Sequence, residues 1–272
     1  MTLKIYHKPG SKDSKAWYVF NPMAKGWKDG VEYIDNYRPT DGPSLFWGFV
    51  GQNYELVERH KKLGHTWYFS DMPYWGRWNG LFEALDPNYD FYWRIIKNKL
   101  HHNTIVKRPS DRFNKLKIEI QDWRAPGEHI LVCPSSPTMN RYYGDPNWTE
   151  NTVAELKKHT DRPIRVRHKP RRKGTSGPAA ALISLKEDLE NCHAMVTSVS
   201  MAAIEAVING VPVFTNEHSP CAPIGLQDVS KIEEPIRPSR EEWAYSWAYA
   251  QFTPKEIESG LAYEILNDSA ST

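Results

Sequence analysis

The sequence carries only three cysteines, Cys133, Cys192 and Cys221, scattered along its length. They are too few for a disulfide framework and their spacing suits no metal, so a reducing, cytoplasmic compartment is expected. No apolar run approaches the roughly 18 residues of a membrane-spanning helix. The opening MTLKIYHKPGSKDSK lacks the apolar centre of a signal peptide. Membrane insertion is therefore not expected. The hydrolase elbow G-x-S-x-G, the phosphate loop of NTPases and the dinucleotide fingerprint G-x-G-x-x-G are missing. So is any Asp-x-Asp pair, and the adjacent His101 and His102 are poorly spaced to share a zinc ion. No metal site is expected. A strong excess of one charge is also lacking. The net charge of +2 excludes a wholly basic nucleic-acid binder.

The 272 residues suffice for one large domain or two small ones. Eleven tryptophans and fourteen tyrosines are many, so most should be core and some free to stack on sugars or bases. The charge is unevenly spread. Arg94, Lys97, Lys99, Lys107, Arg108, Arg112, Lys115 and Lys117 face a single acid, Asp111, between Phe91 and Lys117. A second cluster, RPIRVRHKPRRKG, covers 162–174. Such clusters meet polyanions or nucleotide phosphates, and equally form solvated basic faces.

Up to about Trp123 the pattern is aromatic and irregular. LKIYH (3–7), AWYVF (16–20), SLFWGF (44–49) and TWYFSD (66–71) read as strands. QNYELVERHKKLG reads as a helix stopped by Gly64. Ala125–Gly127 reads as a linker. Beyond it strands and helices alternate. HILVCPSS (129–136), PIRVRHKP (163–170), AMVTS (194–198) and VPVFT (211–215) are strands. TENTVAELKKHTD (149–161, capped by Thr149), SLKEDLENC (184–192) and MAAIEAVING (201–210, capped by Ser200 and stopped by Gly210) are helices. This alternation predicts a doubly wound parallel sheet. The tail 240–266 reads as two helices broken at Pro254.

Three loops at the carboxyl ends of these strands carry the candidate chemistry. In TSVSMAAIEAVINGVPVF (197–214), Thr197, Ser198 and Ser200 place hydroxyls at a helix start, where unpaired N–H groups favour an anion. Glu205 is within reach of a ribose hydroxyl there. The plainer reading is a capped helix with a surface glutamate. In VRHKP (166–170), Arg167, His168 and Lys169 form a cationic turn for phosphate or base. In CPSSPTMNR (133–141), Ser135, Ser136 and Arg141 are candidates for binding phosphates or a sugar.

With those residues in view, the segment 129–266 resembles the C-terminal half of GT-B-fold glycosyltransferases, in particular the capsule polysaccharide and Kdo-transferase group. That group holds its nucleotide with a His-Pro motif and a Ser/Thr-rich motif. Here the first reads His168-Lys169-Pro170, with a lysine inserted, and the second matches at Thr197, Ser198, Ser200 and Glu205. The N-terminal part, with its YFSDMPYWGRW segment, more loosely resembles phage proteins. Phage glycosyltransferases of similar fold glycosylate hydroxymethylated bases such as 5-hydroxymethylcytosine.

The resemblance implies an α/β, GT-B-like fold of two facing Rossmann-like domains with a cleft between them. It implies an acceptor-side domain over 1–125, a nucleotide-sugar domain over 126–240, and C-terminal helices over 241–272 packing back across the cleft. The co-substrate is expected to be a nucleotide sugar, taken as a UDP-sugar, used without metal or other cofactor. A base must take the acceptor proton, and Asp71, at the end of a predicted strand, is the candidate, although an Asp before Met-Pro also forms a simple Asx turn. Trp75 and Trp78 would stack on a sugar or flipped base, and Arg77 would hold an acceptor phosphate. Lys97, Lys99, Lys107 and Arg108 would carry double-stranded DNA, the first acceptor expected. A surface polysaccharide or other glycan is the alternative, and a non-catalytic nucleotide- or nucleic-acid-binding module is the rival to any enzyme.

Overall fold

The computed structural model describes residues 1–7, 15–76, 91–169 and 183–268. They form two compact units. The first takes in the described residues of Met1–His102, Val106–Leu116 and Tyr245–Thr272, and the second those of Asn103–Ile105 and Lys117–Ala244. Among the described residues no helix is long and apolar enough to cross a membrane.

The first unit begins with β1 (Leu3–Tyr6), α1 (Trp17–Gly26), β2 (Val31–Ile34), β3 (Ser44–Trp47) and α2 (Asn53–Leu63). It continues with β4 (Trp67–Asp71), β5 (Trp93–Lys97) and α3 (Asp111–Lys115). Strands β1 to β4 are parallel, with β1 lying between β2 and β3. Strand β5 is added antiparallel beyond β4. The run AWYVF, expected as a strand, is helical in α1. Val19, Phe20, Met23 and Gly26 are buried at helical spacing, and so short an apolar run cannot separate the two periods. Strands β2 and β5 are not anticipated by the sequence pattern. Helix α2 ends as expected, on Gly64 in the left-handed conformation at φ 67°.

The tail differs from two helices broken at Pro254. It comprises α8 (Glu241–Ala248), a short strand β10 (Gln251–Phe252), α9 (Pro254–Glu258) and α10 (Leu261–Asn267). Pro254 opens α9 at its first position, behind a reciprocal cap between Thr253 and Glu256. Strand β10 pairs antiparallel with β5. Arg112 ties α3 to the tail: it donates to both carboxylate oxygens of Glu256 at 2.8 and 2.9 Å and to the Gln251 carbonyl at 2.6 Å. Gly26 lies so close to α9 that a Cβ would sit 1.9 Å from the Ile257 carbonyl. The core here is aromatic, with Phe20, Trp27, Tyr68, Phe91, Trp93 and Phe252 packed together. Truncating a residue such as Trp93 would cost about 3–5 kcal/mol.

The second unit contains β6 (His129–Val132), α4 (Pro137–Tyr142), α5 (Trp148–Leu156) and β7 (Ile164–Val166). It continues with α6 (Leu185–Asp188), β8 (Cys192–Thr197), α7 (Ala202–Ile208) and β9 (Val213–Thr215). Its sheet, in the order β7-β6-β8-β9, is parallel throughout, as the alternating sequence predicts. The core is mainly aliphatic: Ile130, Val132, Leu156, Ala194, Val196 and Ile232, with Phe214. Helix α5 starts one residue before the expected Thr149, with Asn147 at its N-cap. Helix α7 starts at Ala202 with Met201 at the N-cap position, so Ser200 is not its cap. The Ser200 hydroxyl instead accepts from the Ala202 N–H, closing a small turn ahead of the helix. Gly210 turns the chain back at φ 78°, where a Cβ would meet the Asp122 carbonyl at 2.0 Å.

Candidate functional site

Each unit has a parallel core whose first strand lies between its second and third. In such sheets successive connections leave the first strand in opposite directions. A crevice opens there, outside the carboxyl ends of the first and third strands. In the second unit this switch point lies between β6 and β8. The loops that follow them are those singled out in the sequence.

These loops are fastened to each other. Thr197, buried, donates its hydroxyl to the Cys133 carbonyl at 2.5 Å and accepts from the Ser200 N–H at 3.3 Å. The Ser135 hydroxyl accepts from the Val199 N–H at 2.9 Å. The Ser136 hydroxyl caps α4, accepting from Met139 N–H at 3.3 Å. The Ser198 carbonyl, on a buried residue, accepts from the Asn216 N–H after β9. A hydroxyl that accepts still has its own proton to donate. Ser135, Ser136 and Ser200 thus retain a donor for an anion, whereas Thr197 is committed to the loop itself.

The charges are arranged less simply than a cationic turn. Arg167 is ion-paired with the buried Asp188 and also donates to the Ile183 carbonyl at 2.8 Å. It spends its charge on α6. Glu205, half-buried, has its carboxyl pushed up by burial, with Arg167 opposing the shift. His168 is half-buried, and Lys169 and Arg141 are exposed. Burial pushes the Cys133 thiol up to about 12, so it is no thiolate nucleophile. Among the described residues, no three His, Cys, Asp or Glu side chains gather as a metal ion needs.

In the first unit Asp71 ends β4 at the carboxyl edge of the parallel strands. Its side chain is 39% exposed and is ion-paired with Arg94 at 3.3 Å. Arg94 also reaches the Nδ1 of buried His101 at 3.0 Å. Trp75, half-buried, donates its N–H to the Gln251 carboxamide at 3.0 Å. Arg77 and Trp78 lie outside the described residues, as do Arg171 and Arg172. Of the basic segment, Arg94 meets Asp71 directly. Lys97 pairs in register with Tyr68, at the opposite end of β4 from Asp71. Arg108 is ion-paired with Asp268 at 3.1 Å and lies over the Tyr249 ring. Lys99 and Lys107 are exposed.

Sequence reasoning missed Arg94, Asp188 and Gln251 as parts of these sites. Arg94 did leave a trace: a lone charge inside the apolar run WRIIK signals a buried ion. Gln251 left none.

No protein-family model matches the chain, and no curated protein sequence does. Solved structures do. The Thermosulfurimonas dismutans KpsC β-Kdo 2,4 transferase is similar with a TM-score of 0.55 at 10% identity, over 98% of each chain. The β-Kdo 2,7 transferase of the same protein is similar with a TM-score of 0.54 at 10% identity, over 97% of this chain and 99% of that one. The fold is therefore α/β of the GT-B glycosyltransferase type, built from two Rossmann-like units.

Proposed function

We propose that this chain is a nucleotide-sugar-dependent glycosyltransferase and that its acceptor is a glycan hydroxyl. One observation carries the reading: the likeness to two Kdo transferases, which runs over nearly the whole of each chain compared. In this reading the donor nucleotide lies at the β6/β8 switch point. Ser135, Ser136 and Ser200 donate to its phosphate, and Arg141, His168 and Lys169 supply charge. Glu205 accepts from a ribose hydroxyl, while Thr197 and Ser198 hold the loop in shape. Arg167 acts through the shape of the site, because Asp188 already neutralises it. The acceptor oxygen attacks the anomeric carbon and the nucleotide leaves with the bonding pair. Asp71 takes the acceptor proton. The leaving charge is met by hydroxyls and cations, without a metal.

Duplex DNA has less in its favour as acceptor. Of the cations between 91 and 117, Arg94, Arg108 and Arg112 are held in ion pairs within the first unit. The structural neighbours carry Kdo in their names and point to saccharide chemistry. The first test is a thermal-shift panel of uridine, cytidine and guanosine nucleotide sugars, activated Kdo among them. A donor that binds only the native state raises Tm. Slow hydrolysis of the same donor marks an enzyme. Stabilisation with neither hydrolysis nor transfer marks a binding module and ends the proposal.

A further inference from the structure

At the carboxyl edge of β4, three side chains from distant parts of the sequence share one row of the sheet. Asp71 pairs in register with Arg94, and Arg94 with Gln251, so all three project from the same face. Arg94 is 4% exposed and sits in an apolar strand between Trp93 and Ile95. A guanidinium in such a place is costly to desolvate, and an aliphatic residue would serve the sheet as well or better. Its partner Asp71, at 39% exposure, does not need the arginine in order to be solvated. The arrangement does, however, fix the carboxylate. Oδ1 accepts from the Met72 N–H at 2.7 Å, and Oδ2 accepts from Arg94 at 3.3 Å. Arginine only donates, so its bond to His101 makes Nδ1 the acceptor and leaves the imidazole proton on Nε2. The Arg94 guanidinium also lies against the Tyr74 ring, 5.5 Å from its centroid. The Gln251 carboxamide oxygen accepts from the N–H groups of Tyr74 and Trp75 at 2.8 and 3.0 Å, pinning the turn that follows Asp71.

We infer that Arg94, held by His101, is a positioning residue that aims the Asp71 carboxylate at the acceptor hydroxyl. The inference rests on the reading of Asp71 as the base. Each carboxylate oxygen has one lone pair taken by a fixed donor, which leaves the other to receive the proton along a defined direction. The planar fork of Arg94 suits this task because it bonds Asp71 and His101 at once.

The test is a double-mutant cycle on the full chain, reading kcat and donor affinity separately. Arg94→Gln should lower kcat about 100-fold, the loss expected from a slightly misplaced catalytic group, with donor affinity unchanged. In an Asp71→Asn background the same substitution should cost nothing further, because its effect runs through Asp71. If Arg94→Gln fails to fold, Arg94→Lys keeps the charge but cannot bridge both partners, and should show the same non-additive loss. Parental kcat in a folded Arg94 variant, or a loss that multiplies with that of Asp71→Asn, overturns the inference. Parental turnover in Asp71→Asn alone overturns the base reading itself, a result distinct from either.

Discussion

The two units build the same parallel core and differ in what stands at its carboxyl edge. In the second unit the edge is made of backbone groups and small hydroxyls, with Thr197, Ser135 and Ser136 bonded to neighbouring main chain. In the first unit it is a cluster of side chains, Asp71, Arg94 and His101, on a sheet widened by the antiparallel β5 and the short β10 paired with it. Backbone and hydroxyl groups suit the binding of a constant anion without titrating. A carboxylate held by arginine suits a proton transfer, where one atom must be aimed. In the proposed reading, the donor belongs to the second unit and the acceptor's chemistry to the first.

The largest effect should come from breaking the chemical half of this division. Asp71→Asn is expected to lower kcat by about 100-fold or more while leaving donor affinity as it was, since a base acts only in the chemical step. Steady-state kinetics with calorimetric donor binding would check it. The reverse pattern should follow from the other unit. Ser200→Ala combined with Glu205→Ala should weaken donor binding roughly 30-fold, the loss of two hydrogen bonds at a net contribution of about 1 kcal/mol each. The kcat at saturating donor should hold. If both variants lose the same parameter, the division of labour is wrong.

The sequence made the second unit far more legible than the first. Its strands alternate with helices, its apolar runs are aliphatic and short, and glycines such as Gly210 mark the returns. The periodicity therefore matches the parallel sheet. The first unit's aromatic runs fit helix and strand equally, which is why α1 was expected as a strand. The edge strand β10, two residues long, leaves no pattern at all. The candidate loops were readable because hydroxyls clustered at strand ends. Their bonding was not, because Arg167–Asp188 and Asp71–Arg94 are contacts between residues far apart in the chain. A count of Lys and Arg could not tell that Arg108 and Arg112 are paired inside the fold.

A smaller effect concerns pH. His102 in the first unit is pushed down to about 4 by burial, aided by Lys99 and Arg108. Burial also lowers His60, His129 and His193. A histidine whose folded pKa is depressed stays neutral in the native state while the unfolded chain takes up a proton. Stability is thus lost as pH falls from the ordinary value of 6.5 towards about 4, and is whole above 6.5. The His102 Nε2 lies 2.7 Å from the Ser246 hydroxyl, so His102→Gln keeps a hydrogen-bonding group there and should flatten Tm against pH in that window, as scanning calorimetry would show. Glu205 has the opposite sign. Its raised carboxyl costs stability as pH climbs above the ordinary 4.5, so Glu205→Gln should raise Tm slightly at neutral pH and not below 4.5.

Sugar transfer to a glycan hydroxyl can be decided in one side-by-side assay. The full chain is offered an oligosaccharide and a hydroxymethylated DNA duplex, each with the donor that most raises Tm. The expected outcome is sugar on the oligosaccharide, none on the duplex, and no loss of rate when Lys99 and Lys107 are both changed to Gln. Transfer to the duplex alone, with a rate that falls steeply with salt and with those two substitutions, would contradict it.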